Sequence, residues 1–262
     1  MRSYSANGIV LHRNLIGESD RIITIFSGEH GKFRAVAKGS RKPGSRLSGA
    51  TELFSESQFL ISRGKSLDIV SQCEIRRSFP ALRNNLDLLA RATYLCELLD
   101  HMTVDHDATA SESILGLTRD ALEILQHADI YPDAALHMYE IHLLAILGYA
   151  PNIDCCTHCG DALEEKSGVF SAAYGGILCP RDRSRAQDAC VLSFEAMDIM
   201  RRLRDSDIEV ILTLAPSRRV AAEVARALRS YIDHRIERRL KSVDFLNQVR
   251  QYHESPSEMT SG

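Results

Sequence analysis

No stretch of this 262-residue sequence is apolar for long enough to cross a bilayer as a helix. The opening, Met1-Arg-Ser-Tyr-Ser-Ala-Asn7, has no apolar segment of the kind that heads a secretory signal. The nearest text to a nucleotide-binding P-loop is Gly28-Glu-His-Gly31-Lys32-Phe33, which has the wrong spacing and no hydroxyl after the lysine. There is no G-x-S-x-G elbow, no dinucleotide fingerprint after a strand and no HExxH element. The ten histidines do not group with carboxylates at a catalytic spacing. The seven cysteines are odd in number and three crowd into Cys155, Cys156 and Cys159, unlike an evenly paired disulfide framework. These absences point to a cytoplasmic protein without a familiar catalytic motif.

The net charge of −3 hides an uneven distribution. Residues 1–80 carry 13 Lys/Arg against 7 Asp/Glu, whereas residues 81–150 carry 3 against 11. Residues 151–262 are nearly balanced, with 16 against 17. Local fields steer a polyanion, so a basic front matters more than a slightly negative total.

The expected fold class is α+β and multidomain. Five short segments rich in β-branched or aromatic residues, 8–13, 21–26, 32–38, 56–61 and 67–72, are separated by glycines and read as strands. Five strands in 1–80 predict a small barrel, with the five-stranded OB-fold as first choice. Residues 81–150 then switch to helical spacing, with Leu86, Leu89, Leu95, Leu98, Leu99 and Met102 on one stripe. Thr109 and Glu112 have the spacing of a capping box, Pro132 suits a first helical position, and Gly148 suits a stop. The apolar helix from Pro132 to Leu147 is the expected centre of a helical bundle. Residues 151–190 form a cysteine-bearing, zinc-ribbon-like insertion, and the helical domain resumes over 191–250. Ser193 and Ser217 read as N-caps there, and 209–214 is ambiguous between strand and helix. A Ser/Pro-rich tail, 251–262, is expected to be disordered.

Between Gly31 and Thr51 there is no acid and there are six bases: Lys32, Arg34, Lys38, Arg41, Lys42 and Arg46. The two-residue period of a strand puts Phe33, Ala35 and Ala37 on the core face and Lys32, Arg34 and Lys38 on the outer one. A glycine-rich loop then carries the remaining three cations. Cations that neutralise phosphates release condensed counterions, and OB-folds hold single strands in basic grooves, so this stretch reads as a nucleic-acid surface. The competing reading is a solvated basic face with no partner.

Cys156-Thr-His-Cys159 followed by Cys179-Pro-Arg-Asp182 has the plan of a zinc ribbon. Asp182 stands where a fourth cysteine would close the site. The expected ligands are Cys156, Cys159, Cys179 and Asp182, with Cys155, His158 or Cys190 as alternative fourth contacts, in a structural rather than catalytic role. The alternative is a site that folds without metal, its thiols packed as small hydrophobes. In the last long helix Val220, Val224, Ala227, Leu228 and Tyr231 share an apolar face. Arg218, Arg219, Arg226 and Arg229 lie nearly opposite and read as a solvated face or as partners of the acidic 81–150 segment, ahead of a contact with DNA phosphates.

Several segments together resemble one family. Gly17-Glu18-Ser-Asp20-Arg21-Ile, His30-Gly31-Lys32, Ala37-Lys38-Gly39-Ser-Arg41-Lys42 and Ser45-Arg46-Leu47 resemble the N-terminal signature of RecO proteins. Pro151 through Cys156-Thr-His-Cys159-Gly160, with Gly175-Gly176 and Cys179, resembles the family's zinc finger, in which four cysteines are usual. Arg238-Arg239-Leu240-Lys241-Ser242 with Phe245-Leu246 resembles its C-terminal end. The resemblance covers about 1–250. It implies an OB-fold, a helical domain and a zinc-finger insertion, and a non-enzymatic mediator of recombination. Such a mediator binds single- and double-stranded DNA and anneals complementary strands. It also works with RecR, and in some settings RecF, to load RecA onto DNA coated by single-strand-binding protein, whose C-terminal tail it contacts. A nucleoid-associated cytoplasmic location follows from that role. A pure adaptor for RecR and single-strand-binding protein, and a metal-dependent hydrolase using Asp182, are the competing classes.

Overall fold

The computed structural model describes residues 3–127, 131–163, 168–236 and 238–254. Strands β1 (Ser3–Ile16), β2 (Asp20–Ser27), β3 (Gly31–Ala37), β4 (Glu56–Ser62) and β5 (Asp68–Arg77) come first. Helices α1 (Pro80–Asn84), α2 (Leu86–Met102), α3 (Ser111–Leu125) and α4 (Ala134–Ile146) follow. Then come β6 (Gly168–Ser171), β7 (Gly176–Leu178), β8 (Cys190–Leu192), α5 (Phe194–Asp205), α6 (Ile208–Leu212), α7 (Arg218–Arg235) and α8 (Lys241–Glu254). Two units result: residues up to Leu122 together with those from Leu240, and residues Glu123–Arg239.

In the first unit the five strands close into a barrel in the order β1-β2-β3-β5-β4, as the OB-fold expectation required. All pairings are antiparallel except β3 with β5. Alternation fills the interior: Phe33, Ala35 and Ala37 from β3 meet Ile23 and Ile25 from β2 and Phe59 and Ile61 from β4. Each large side chain removed from water contributes about 1.5–3 kcal/mol. β3 pairs with β5 only at Ala35 and Val36, so its first residues have an open edge. Residues 105–107 occupy that edge. Lys32 bridges Asp105, and the His106 N–H donates to the Lys32 carbonyl at 2.8 Å. At Gly31 (φ +63°) a Cβ would lie 2.0 Å from the Asp107 carbonyl oxygen, so only glycine fits there.

Helices α2 and α8 pack together beside this barrel. The Glu97 carboxylate on α2 accepts the Lys241 and Ser242 N–H groups at 3.0 and 2.7 Å, satisfying two free amides at the start of α8. That anchorage and the buried Leu246 and Val249 explain why residues 251–254, expected in a disordered tail, continue α8. The rest of that tail, 255–262, lies outside the described residues. α3 begins at Ser111, and the side-chain oxygen at its entry comes from Asp107, which accepts the Thr109 N–H at 2.8 Å, rather than from Thr109.

In the second unit α4 is buried along most of its length and packs against α5 and α7, as expected of a bundle centre. It starts at Ala134 behind Asp133, two residues after Pro132. Past its end the Tyr149 N–H reaches back to the Leu144 carbonyl at 2.7 Å, closing the helix at Gly148. Ser193 and Ser217 cap α5 and α7 through their hydroxyls, as their positions predicted. The ambiguous 209–214 segment falls largely within the short helix α6. The five apolar residues expected on one face of α7 are all buried. Opposite them, Arg219 pairs with Glu223 and Arg229 with Asp233. β6, β7 and β8 form a three-stranded sheet in the order β7-β6-β8.

Candidate nucleic-acid interface and metal centre

The basic surface is built by β3 and the loop that follows it. Residues 38–48 turn tightly, with the Lys42 N–H bonded to the Gly39 carbonyl and the Ser45 N–H to the Lys42 carbonyl. The loop is tied to the β1–β2 turn by two bonds. The Arg41 N–H donates to the Ser19 carbonyl at 3.0 Å, and the Gly39 N–H donates to Asp20 Oδ1 at 2.7 Å. The Gly39 N–H, helped by the Ser19 hydroxyl and the nearby Lys38 and Lys42 ammoniums, holds the Asp20 carboxyl below the usual carboxylate range. Asp20 is therefore an ionised anchor for the loop.

Five of the six expected cations, Arg34, Lys38, Arg41, Lys42 and Arg46, are exposed. None of their side chains makes an ion pair or a hydrogen bond among the described residues. Five exposed cations, four of them within nine residues of a loop, form a local positive field that no neighbouring carboxylate cancels by direct pairing.

Lys32 is the correction. Its two-residue spacing from Arg34 puts it on the same strand face, yet it is only 7 % exposed. Its ammonium pairs with Asp100 Oδ1 at 3.0 Å and Asp105 Oδ1 at 3.4 Å and donates to the Thr103 carbonyl at 2.8 Å and to the Asp100 carbonyl. The end of α2 and the segment after it roof this end of β3, so Lys32 cannot reach a phosphate. Sequence reading missed Asp100 and Asp105 as its partners. The signal was the acidic balance of residues 81–150, some of which serves to neutralise the barrel's own lysine.

The cysteine cluster belongs to the second unit. Cys156 and Cys159 sit on the turn before β6, and Cys179 and Asp182 follow β7. The turns are held side by side by backbone bonds: Ile177 N–H to the Asn152 carbonyl and Thr157 N–H to the Ile177 carbonyl, both 2.9 Å. At Gly176 a Cβ would fall 2.2 Å from the Asn152 carbonyl oxygen, so glycine permits this approach. One potential ligand atom from each of Cys156, Cys159, Cys179 and Asp182 lies within 4.8 Å of the others. The Cys159 and Cys179 sulfurs are 3.9 Å apart. Tetrahedral zinc with bonds of about 2.3 Å to sulfur requires about 3.8 Å between sulfurs, so the donor set fits such an ion.

The electrostatics of these groups differ: the Asp161 N–H favours the Cys159 thiolate, but burial and the neighbouring Cys156, Asp182 and Cys179 side chains outweigh it and push that thiol up to about 12, whereas Cys156 and Asp182 are lowered. Burial raises the Cys156 thiol, but N–H groups of Cys159, Cys179 and His158 aimed at its sulfur outweigh this and lower it. Burial also opposes the charge of Asp182, yet Arg185 and the three thiols hold its carboxyl down at about 2. Asp182 divides its oxygens: Oδ1 accepts from Arg185 Nε at 3.0 Å, while Oδ2 faces Cys156 and Cys179 at 3.5 and 3.4 Å. Arg185, which sequence reading did not single out, thus orients the carboxylate from behind. Among the described residues the group consists of these four alone, without Cys155, His158 or Cys190. The cluster can hold a metal ion.

Comparison with known proteins gives a concordant result. Residues 1–79 match the family described as "Recombination protein O N terminal", and residues 83–244 match "Recombination protein O C terminal". A "DNA repair protein RecO" of Symbiobacterium thermophilum is 38 % identical over 252 residues, covering 95 % of this chain and 99 % of the relative. Proteins of the same name from Pelotomaculum thermopropionicum and a Roseiflexus species are each 35 % identical, covering 96 % and 100 % of this chain and 96 % and 91 % of the relatives. With a closed five-stranded barrel, a helical region and both family halves matched in order, the chain belongs to the RecO family of DNA repair proteins.

Proposed function

We propose that the chain is a recombination mediator that binds single- and double-stranded DNA and anneals complementary strands without catalysing a reaction itself. The observation that carries this reading is the set Arg34, Lys38, Arg41, Lys42 and Arg46, exposed and not engaged by carboxylates. Annealing needs two polyanions brought together with their bases free, and an exposed counter-charge supplies that without bond chemistry. Beyond DNA, the family resemblance supports RecR as a partner, the C-terminal tail of single-strand-binding protein as a contact, and delivery of RecA as the outcome. RecF-pathway components and a nucleoid-associated cytoplasmic location belong to the same reading. The cysteine and aspartate cluster is proposed as a structural zinc site. When bound, zinc would cross-link the two turns through Cys156, Cys159, Cys179 and Asp182 and so stabilise the second unit.

The test is fluorescence anisotropy of labelled single-stranded and duplex oligonucleotides titrated with the purified chain alone. Binding to both forms that weakens steeply with salt is the expected result. No binding to either at 50 mM salt would overturn the reading in favour of a protein adaptor that leaves DNA contact to its partners.

A further inference from the structure

Where β3 and β5 part company, the barrel surface opens into a cleft of about 570 Å³, within the size range of small-molecule sites. Tyr4 and Arg34 line it from β1 and β3, Arg63 from the β4–β5 loop, and Asp105, His106 and Ala108 from the segment after α2. Three carboxylates also border it, but each is already engaged. Glu29 accepts from Ser27 Oγ at 2.7 Å, Asp68 accepts from Tyr4 Oη at 2.5 Å, and Asp105 pairs with Lys32. Arg34 has no such partner, and Arg63 lies with its guanidinium carbon 5.6 Å from the centre of the Tyr4 ring.

The Tyr4 ring is fixed on several sides. Its hydroxyl is held by Asp68, and His30 and Phe33 meet it in edge contacts at 4.7 and 5.9 Å between ring centres. A planar cation over a locked aromatic ring is a ready stacking surface for a further flat π-system, and it incurs little ordering cost on binding. Arg34 lies four residues before Lys38, about 13 Å of extended strand, so a phosphate chain on the basic loop can continue toward the cleft.

We propose, resting on the DNA-binding reading above, that this cleft takes one unstacked nucleotide of a single strand. Its base lies on the Tyr4–Arg63 pair and its phosphate on Arg34. The cleft thereby makes the chain favour single strands over duplex. Bases in a duplex are stacked and paired and cannot enter. Bases in a single strand present free faces, and stacking tolerates any of the four.

Arg63→Lys tests this, because it keeps the charge and removes the planar stacking group. The assay is anisotropy with a single-stranded oligonucleotide, a duplex, and a single strand of abasic sites, using wild type and variant. The wild type is expected to favour the base-bearing strand over the abasic one. Arg63→Lys is expected to weaken binding to the base-bearing strand about tenfold, to leave duplex and abasic affinities within about twofold, and to leave the salt slope unchanged. Equal affinity of the wild type for base-bearing and abasic strands, or equal loss on single strand and duplex in the variant, overturns the cleft assignment. If the wild type binds no DNA at all, the underlying reading fails instead. If it binds both forms but Arg63→Lys changes neither, only the cleft fails.

Discussion

Replacing Lys32 with methionine separates a structural lysine from a phosphate contact. The substitution keeps the shape of the stem and removes the ammonium. Two backbone carbonyls, of Asp100 and Thr103, lose a charged donor, and Asp100 loses its closest cation. Hydrogen bonds to a charged group contribute about 1.5–3 kcal/mol, and breaking a buried ion pair costs about 3–5 kcal/mol. Asp100 and Asp105 are 31 % and 54 % exposed, so water re-solvates them and the larger figure does not apply in full. The net loss is about 2–3 kcal/mol, which for a unit of this size lowers the melting temperature by about 5–10 °C. Thermal unfolding followed by circular dichroism gives that shift, and DNA titrations at several salt concentrations, well below the transition, give the slope. The salt slope is expected to stay at the wild-type value, because Lys32 neutralises no phosphate. An unchanged melting temperature with a slope reduced by about 0.7–0.9 would show Lys32 acting on DNA and refute the burial argument.

The remaining predictions concern the helix anchor and the metal. Burial opposes the charge of Glu97, but the Ser242 hydroxyl and N–H and the Lys241 N–H outweigh it and lower its pKa. Its contribution is therefore present above its unfolded pKa and lost as pH falls through the folded one. Glu97→Gln is expected to destabilise by about 1–2 kcal/mol in urea unfolding at pH 7, with the difference shrinking as pH falls below the unfolded pKa toward the folded one; a difference that does not change with pH contradicts the anchor. Metal analysis of the purified chain is expected to find about one zinc per molecule, and Cys179→Ser to lose it and lower stability while leaving DNA salt slopes unchanged. Retention of zinc by Cys179→Ser would reject the assigned ligand set. Gly176→Ala would bring a methyl against the Asn152 backbone and is expected to cost about 1–3 kcal/mol in chemical unfolding; no loss of stability would mean the two turns are not so close.

Local rules carried most of the fold. Alternation in β3 assigned Phe33, Ala35 and Ala37 to the core because strand geometry has only two faces. Ser193 and Ser217 were legible as caps because a hydroxyl one residue before a helix has one good use. The cysteine spacing revealed the four-residue cluster, since two tight turns suffice to bring such ligands together. Contacts set by chain return were not legible. Lys32 and Asp100 lie 68 residues apart, and nothing local says that the end of α2 roofs the open edge of β3. Tyr4, Arg34 and Arg63 meet only because the barrel closes β1 on β4 and sets β3 against β5. Asp107 displaced Thr109 at the entry to α3 because the same segment also packs on Gly31, a constraint invisible to capping rules.

Whether the free cations of the β3–β4 loop grip DNA is best read from a salt titration of the variant Lys38→Ala/Arg41→Ala/Lys42→Ala beside the wild type. Each phosphate contact contributes about 0.9 to the logarithmic slope on duplex and about 0.7 on single strands, so loss of three lowers the slope by about 2–3 on duplex and about 2 on single strands. A folded variant with those flattened slopes is the predicted result. A folded variant whose affinity and slopes match the wild type would place the DNA elsewhere and contradict the account.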